Sequence, residues 1–134
     1  MNTLDSVLLV DDDNINNYLN ARLIKKLRIT DNVKISLNGA EALKYLSSEN
    51  KGGNCPSLIF LDINMPVMNG FEFLDQFRKE KLCASDPVII MLTTSTNDKD
   101  VEIIKKDASV AGFINKPLTE DKLKGILDKH FSYQ

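Results

Sequence analysis

Three consecutive aspartates follow an apolar run near the start of the chain. Val7–Val10 predicts a buried strand, and Asp11, Asp12 and Asp13 come directly after it. Two carboxylates about 4 Å apart repel by roughly 4 kcal/mol at an effective dielectric constant of about 20, so this arrangement has a standing cost. Because no histidine or cysteine lies nearby, the acids favour a hard cation bound through oxygen, such as Mg²⁺. We expect Asp11 and Asp12 to serve that cation, whereas Asp13, next to Asn14, is typical of a helix N-cap.

Three further residues that can take part in chemistry stand at the ends of later apolar runs. They are Asp62, Thr93 and Lys116, which offer a carboxylate, a hydroxyl and an ammonium group. A lysine is a compact point charge that suits a phosphate or carboxylate partner. A divalent cation, a lysine and a hydroxyl around one aspartate fit a phosphoryl-transfer site, in which the aspartate can be the covalent acceptor.

Short apolar runs alternate along the chain with stretches of helical period. Runs that are apolar throughout indicate strands buried on both faces of a parallel sheet, and apolar residues three and four apart indicate helices between them. The predicted strands are Val7–Val10, Val33–Leu37, Leu58–Leu61, Val88–Leu92 and Gly112–Ile114. The pattern predicts five βα units of a doubly wound α/β domain, whose function gathers at the carboxyl ends of the strands. Four of those ends carry the acids, the hydroxyl and the lysine, whereas the second ends at Leu37-Asn38, as expected for an edge strand.

Turn residues support these boundaries. Gly39 is expected to precede the second helix and Asn69-Gly70 the third, and residues 50–56 (NKGGNCP) are expected to form an exposed loop. Thr119 is a predicted N-cap, because the two acidic residues after it suit the first turn of a helix.

Composition limits the classes of function open to the chain. Its 134 residues fit one domain, and 17 Lys and Arg against 19 Asp and Glu give a net charge of −2, which argues against a nucleic-acid partner. No apolar stretch approaches the roughly 18 residues of a membrane span, and the N-terminus lacks the apolar region of a signal peptide. We therefore expect a cytoplasmic protein with no membrane partner.

The few cysteines and histidines exclude several kinds of site. Cys55 and Cys83 have neither CxxC nor metal-ligand spacing, and we expect two reduced cytosolic thiols. His130 is the only histidine, which excludes His-based triads and multi-His metal sites. It stands at the end of a helical pattern, where a cation suits the negative pole of the helix, so a surface or structural role is expected.

Four motifs connect the chain to a known family. VLLVDDD, LDINMPVMNG, MLTTS and INKPLT, in this order and at these separations, resemble the receiver (REC) domain of two-component response regulators of the chemotaxis-type single-domain kind. The resemblance covers essentially the whole chain. It implies a (βα)5 flavodoxin-like sandwich, with a parallel five-stranded sheet of order 2-1-3-4-5 and helices on both faces. It also implies a single receiver domain over residues 1–134, with a core of about residues 5–131.

The same resemblance implies roles for individual residues. Asp62 would be the phospho-acceptor, and Lys116 would contact the phosphoryl group. Mg²⁺, with Mn²⁺ as a possible substitute, would be held directly by Asp12, through water by Asp11, and also by Asp62. The backbone carbonyl of Asn64 would complete the protein ligands.

A signalling switch is implied as well. Thr93 would move to the phosphoryl group, and Phe113 stands where chemotaxis-type members carry a tyrosine, so coupling is expected to rest on packing without a hydroxyl. Asn64 and Ser95 occupy positions that influence phosphoryl lifetime in this family. The Lys116-Pro117 peptide bond is implied to be cis, against about 5–6% of such bonds in folded proteins.

The resemblance implies a signalling domain that is not an enzyme, because it would catalyse only its own phosphorylation and dephosphorylation. Its partners would be a sensor histidine kinase or a histidine phosphotransfer protein, and an unknown downstream protein target. Phosphorylation would change the face formed by the fourth helix, fifth strand and fifth helix, roughly residues 98–132. The apolar residues of that region are Val101, Ile103, Ile104 and Val110, about half of which are expected to be ordinary core.

Other functions share parts of this pattern. A haloacid-dehalogenase-type phosphatase would use Asp11 as its nucleophile, but Ile15 stands where its motif carries Thr or Val. A flavodoxin-like FMN carrier would need hydroxyls and glycines, not three aspartates, around a phosphate. A degenerate receiver acting as a scaffold is disfavoured because every chemical residue is present. Within the favoured interpretation, the chain is either a stand-alone regulator or a receiver module from a hybrid kinase or multidomain regulator.

Overall fold

The computed structural model describes residues 4–49, 55–94 and 97–131. In these ranges strands and helices alternate in the order β1 (Val7–Val10), α1 (Asn14–Lys26), β2 (Val33–Ser36), α2 (Gly39–Glu49), β3 (Leu58–Leu61), α3 (Gly70–Glu80), β4 (Val88–Thr93), α4 (Asp98–Lys106), β5 (Gly112–Asn115) and α5 (Glu120–Phe131). The strands form one parallel sheet of order β2-β1-β3-β4-β5. The predicted fold class and strand order are confirmed.

Each face of the sheet carries its own hydrophobic core, because successive side chains of a strand point to opposite faces. Leu8 and Val10 of β1 pack with buried residues of α2, α3 and α4, and we call this cluster the α2–α4 core. Val7 and Leu9 pack on the other face with residues of α1 and α5. Every position of β1 and β3 is buried, which explains why these runs are apolar throughout, whereas the edge strand β2 is largely exposed.

Parallel pairing in register brings the strand ends to one edge of the sheet. Val10 pairs with Leu61, so the acids after β1 and β3 follow on neighbouring strands. At the end of β4, Thr93 pairs with Asn115, one residue before the lysine that follows β5. The residues predicted to do chemistry therefore share this edge, which we call the carboxyl edge.

The boundaries of β2 and α2 differ slightly from the prediction. β2 ends at Ser36, because the backbone N–H of Leu37 donates to the Glu41 carboxylate at 3.1 Å and leaves the ladder. Gly39 is the first residue of α2, where it was expected to precede the helix. The Asn38 side chain accepts the backbone N–H of Glu41 at 2.9 Å, so it provides the cap that the prediction lacked.

Gly70, like Gly39, was expected to precede its helix and is instead its first residue. The remaining helix signals agree with the structure. Asp13 is the N-cap of α1, Asn69 is the N-cap of α3, and the Thr119 hydroxyl accepts the backbone N–H of Lys122 at 3.3 Å at the start of α5. His130 lies in the last turn of α5, as expected. Of the predicted loop 50–56, the first five residues lie outside the described ranges, and Cys55 and Pro56 have no regular secondary structure.

The prediction of two reduced thiols is wrong for this structure, in which Cys55 and Cys83 form a disulfide. Their Cα atoms lie 5.8 Å apart, within the usual range for a disulfide. The sequence could not signal this pairing, because it depends on the fold bringing the start of β3 beside the loop that follows α3. Within the described ranges, no helix is both long and apolar enough to cross a membrane.

Candidate functional site

The carboxyl edge gathers three acidic side chains. The backbone N–H of Asp62 donates to the Val10 carbonyl at 3.0 Å, which extends the β1–β3 pairing and holds Asp62 beside Asp11. Both side chains are buried, and Asp12 is exposed. Oxygen atoms of Asp11, Asp12 and Asp62 all lie within 4.8 Å of one another. This all-oxygen set fits Mg²⁺, which prefers carboxylate and water oxygens.

Lys116 supplies the positive charge of the site. Its ammonium nitrogen lies 2.6 Å from Asp11 Oδ2 and 3.2 Å from Asp62 Oδ2, so one cation bridges the acids of two strands. The peptide bond from Lys116 to Pro117 is cis, as the resemblance implies. The Lys116 backbone N–H also donates to the Thr93 carbonyl at 3.0 Å, which anchors the start of the β5–α5 loop on β4.

Burial and charge act on these groups in opposite directions. Burial raises the pKa of Asp11 and the negative charge of Asp62 adds to the rise, and together they outweigh the hydrogen bonds from Lys116 and the backbone of Asp13. Burial alone would lower the pKa of Lys116, but its hydrogen bond to Asp11 and the negative charges of both acids raise it. Lys116 is therefore a cation at neutral pH, and burial is the main reason why a charge on Asp11 is costly, with the charge of Asp62 as a smaller contribution.

Local hydrogen bonds fix the turn between β1 and α1. Asp13 accepts the backbone N–H of Ile15 at 2.9 Å as the α1 cap, and its own N–H donates to Asp11 Oδ1 at 2.9 Å. The buried Asn17 donates through Nδ2 to the Asp11 carbonyl at 2.8 Å. Capping by Asp13 is confirmed. The role of Asn17 was missed, because a polar residue in a helical pattern is expected to be exposed, and only the packing of α1 on the sheet places this one in the interior.

A small cavity lies behind the acids. It measures about 10 Å³, close to the least that a buried water needs, and its lining includes Asp11, Asn17, Asn20 and Asp62. Asn17 Oδ1 points inward with no hydrogen-bond partner among the described residues. The acids therefore rest on a polar interior and not on a purely apolar one.

A match to a family model decides what kind of domain this is. The model described as "response regulator receiver domain" matches residues 7–128, which is most of the chain. The chain belongs to the response regulator receiver domain family. Receiver domains are signalling domains of two-component systems; they pair with histidine kinases or phosphotransfer proteins and generally bind Mg²⁺ through acidic residues. This family membership gives no support to the phosphatase alternative.

Individual relatives agree with the family match. The probable methanogenesis regulatory protein FilR2 of Methanothrix harundinacea is 31% identical over 95% of this chain and 81% of its own length. Two-component response regulator 24 of Arabidopsis thaliana is 35% identical over 92% of this chain and 82% of its own. A crystal structure of a two-component response regulator from Cytophaga hutchinsonii superposes with a TM-score of 0.85 at 31% identity, covering 96% of this chain and 97% of that one. Hybrid signal transduction histidine kinase L of Dictyostelium discoideum is 33% identical, but the match spans only 7% of its length.

Two backbone features hold Asp62 of this receiver domain in place. Its Oδ1 accepts the backbone N–H of Ile63 at 2.8 Å, which leaves Oδ2 toward Lys116. Gly70, at the start of α3, donates its N–H to the Ile63 carbonyl at 2.8 Å. A Cβ atom at Gly70 would lie 2.4 Å from the Asp62 carbonyl oxygen. Gly70 is therefore required for close packing beneath Asp62, a role that its turn signal alone did not reveal.

The predicted switch residues occupy adjacent strands of the receiver domain. Thr93 is fully buried at the end of β4, and Phe113 of β5 is half-buried, pairs in register with Met91 and packs against the α2–α4 core. Asn64, predicted as a ligand and a lifetime residue, is exposed in the β3–α3 loop. Ser95, the other predicted lifetime residue, lies outside the described residues.

Proposed function

We propose that this receiver domain accepts a phosphoryl group on Asp62 from a phosphohistidine of a sensor histidine kinase or phosphotransfer protein. The observation that carries the proposal is the position of Lys116, whose ammonium group lies 3.2 Å from Asp62 Oδ2. The other Asp62 oxygen is engaged by the Ile63 backbone. One oxygen is thus oriented by the protein, and the one that would form the new bond lies beside a fixed positive charge.

The cation of this site is proposed to be Mg²⁺, with Mn²⁺ as a substitute. Asp11, Asp12 and Asp62 would hold it, and their convergence within 4.8 Å supports that assignment. The backbone carbonyl of Asn64 is proposed as the remaining protein ligand. When bound, such a cation neutralises the charge that gathers on a transferring phosphoryl group.

Transfer makes and breaks one bond. An oxygen of Asp62 attacks phosphorus, the phosphorus–nitrogen bond of the phosphohistidine breaks, and its electron pair stays on the imidazole, which takes up a proton. Lys116 neutralises the phosphoryl oxygens throughout, at no reorganisation cost because its nitrogen is already positioned. Hydrolysis of the resulting acyl phosphate returns Asp62 to its starting state, so the domain acts only on itself.

The signal is proposed to travel through Thr93 and Phe113. Phosphorylation adds about −1.5 to −2 charges at neutral pH, and the Thr93 hydroxyl would move toward them. Phe113 packs on the next strand, so it would follow by packing alone. The surface that changes would be formed by α4, β5 and α5. Of the apolar residues predicted there, Ile103 is 49% exposed and could contact a partner, whereas Ile104 is buried in the core.

We propose one receiver domain over the whole chain, since the family match covers residues 7–128 and the fold continues to Phe131. Both full-length regulators and hybrid kinases are among the relatives, so the domain is proposed either to act alone or to form a module of a longer kinase or regulator. Its downstream partner is proposed to be a protein.

Phosphorylation by a small acyl-phosphate donor tests the proposal. The purified chain is incubated with the donor and Mg²⁺, and its intact mass is measured for the wild type, Asp62→Asn and Asp13→Asn. The wild type is expected to gain one phosphate, Asp62→Asn none, and EDTA is expected to suppress the gain. Asp13→Asn is the matched control, because asparagine also caps helices and Asp13 is outside the acidic set. Equal labelling of all three chains would refute Asp62 as the acceptor.

A further inference from the structure

We propose that Cys55 and Cys83 form a reversible redox site, which a low-molecular-weight disulfide oxidises and the corresponding thiol reduces. This redox site is independent of the proposed phosphoryl transfer. The sequence pattern did not predict the bond between the two cysteines, which the fold brings together.

The bond joins the two ends of one βα unit. Cys55 precedes β3, and Cys83 lies in the loop after α3, 28 positions further along the chain. The enclosed segment contains β3, Asp62 and the whole of α3. In the oxidised form, the unit that carries the proposed phospho-acceptor is therefore a closed covalent loop.

Packing keeps the sulfurs together yet reachable. Both cysteines are half-buried and pack against the α2–α4 core. Cys83 also lines an open groove of about 550 Å³, whose other lining residues include Phe77, Leu82, Pro87 and Val88. Exchange requires that a small thiol reach one sulfur, and a half-buried cysteine that lines an open groove favours such access.

The redox conditions of the cell determine whether this disulfide is reversible or permanent. Receiver domains usually work in the cytoplasm, where small thiols keep cysteines reduced and the disulfides that do occur are mostly transient. This sequence contains only these two cysteines, so no third thiol of the chain competes for the pair. A disulfide at this position is therefore expected to follow the thiol balance of the cell.

The exchange is balanced in two steps. The thiolate of one cysteine attacks a small disulfide such as glutathione disulfide, which forms a mixed disulfide and releases one small thiolate. The second cysteine then attacks the protein sulfur of that mixed disulfide and releases the other. Two protein thiols are oxidised, one small disulfide is reduced to two thiols, and the two protons remain with the released thiolates or the solvent.

Oxidation is expected to stiffen one end of the domain. Closing a loop of this length lowers the entropy of the unfolded chain and should raise Tm by about 10 °C. Amide exchange in the α3–β4 loop should slow. Asp62 stands at the opposite end of β3 from Cys55, so the rate of phosphorylation by a small donor is expected to be the same in both redox states.

A glutathione titration tests the proposal on the unmodified chain. The protein is equilibrated at graded ratios of reduced to oxidised glutathione, free thiols are trapped by an alkylating agent, and the mass gives the number trapped per chain. The expected result is a monomer that passes from two trapped thiols to none as the ratio falls across the cytosolic range. If the pair stays oxidised at the most reducing ratio, the disulfide is permanent. If the cysteines stay reduced or form only mixed disulfides with glutathione, they do not form an intramolecular disulfide. Either result overturns the proposal.

Serine variants control for the loss of sulfur. Cys55→Ser, Cys83→Ser and the double variant are expected to show no redox-dependent change in Tm, and the double variant should match the reduced wild type. A redox-dependent Tm in the double variant would contradict the assignment to this pair. Phosphate incorporation, measured on the same samples, reports separately on the proposed phosphoryl transfer.

Discussion

The ammonium nitrogen of Lys116 lies 2.6 Å from Asp11 Oδ2, and the two side chains are only 12% and 7% exposed. This ion pair links the β5–α5 loop, which carries Lys116, to the end of β1, which carries Asp11. Because the same nitrogen lies 3.2 Å from Asp62, one lysine offsets the repulsion between two buried acids. Charge balance at the carboxyl edge thus depends on this residue.

Replacing Lys116 by methionine should destabilise the domain. The change keeps much of the side-chain volume and leaves Asp11 and Asp62 without their cation, at a cost of about 2 kcal/mol in the free energy of unfolding. Urea unfolding measures the change. Lys79→Met is the control, because its ion pair with Asp75 is exposed and should matter by less than about 0.5 kcal/mol. Equal effects of the two variants would contradict the account of Lys116.

Magnesium should stabilise the folded domain. Binding to the native state alone raises the free energy of unfolding by about 2.7 kcal/mol at a free Mg²⁺ concentration of 100 times Kd. Calorimetry with and without EDTA measures the shift, since the chain has no tryptophan as an optical reporter. Asp12→Asn should reduce the magnesium effect, whereas Asp13→Asn should retain it. Identical melting temperatures in Mg²⁺ and EDTA would count against a metal site.

An alanine at Gly70 should disturb Asp62 through the backbone. Its Cβ would lie 2.4 Å from the Asp62 carbonyl oxygen, so the chain must shift, at a cost of about 1–3 kcal/mol. Slower phosphorylation should accompany the loss of stability. Gly125→Ala is the matched control: apart from its own helix backbone, no described residue has an atom within 4 Å of a new Cβ at this position in α5, and alanine should stabilise the helix by about 0.5–1 kcal/mol. A Gly70→Ala chain as stable and as readily phosphorylated as the wild type would refute the close-packing role.

Asp107 should contribute a pH-dependent part of the stability. Burial would raise its pKa, but hydrogen bonds from Ser109 and the paired guanidinium of Arg78 lower it below the ordinary value of 3.8. A lowered pKa stabilises the fold above the unfolded value, and the contribution is lost as pH falls through the folded value. Asp107→Asn should therefore cost up to about 1 kcal/mol at pH 7 and nothing in strong acid.

Unfolding measured across pH for the wild type and Asp107→Asn gives this difference directly. Asp75→Asn is the control, because Asp75 meets the same arginine at 3.7 Å in an exposed pair. A stability difference for Asp107→Asn that stays constant down to strong acid would exclude titration of Asp107 as its cause.

Thr93→Ala should uncouple phosphorylation from the α4–β5–α5 surface. In the proposed switch, the Thr93 hydroxyl links the phosphoryl group to β4, so its removal should leave Phe113 in place after phosphorylation. Hydrogen exchange of α4 and β5 should then be the same before and after phosphorylation, although Asp62 is still labelled. If the phospho-dependent exchange survives in the variant, the switch does not use Thr93.

The sequence predicted that the main residues of the candidate site lie together, because they stand at strand ends. Asp11, Asp62, Thr93 and Lys116 each follow an apolar run, and parallel pairing alone brings such ends together. Local signals were also enough to predict the α1 cap, because Asp13 contacts residues only two and three positions away.

The missed features depend on contacts between distant parts of the chain. Gly70 approaches Asp62 only after β3 and α3 pack, and the Cys55–Cys83 bond needs the two ends of that unit to meet. Asn17 reads as an ordinary polar helix residue until α1 docks on the sheet and turns it toward Asp11. Neither the hydrophobic period nor the spacing of residues along the sequence indicates that these groups come into contact.

Chemical mapping of the phosphorylated residue tests the central claim most directly. The wild-type chain is labelled by a small phosphodonor in Mg²⁺, the acyl phosphate is trapped by borohydride reduction, and peptides are sequenced by mass spectrometry. We predict that Asp62 is reduced and that no other aspartate is. Reduction at Asp11 or Asp12, with position 62 unchanged, would contradict it.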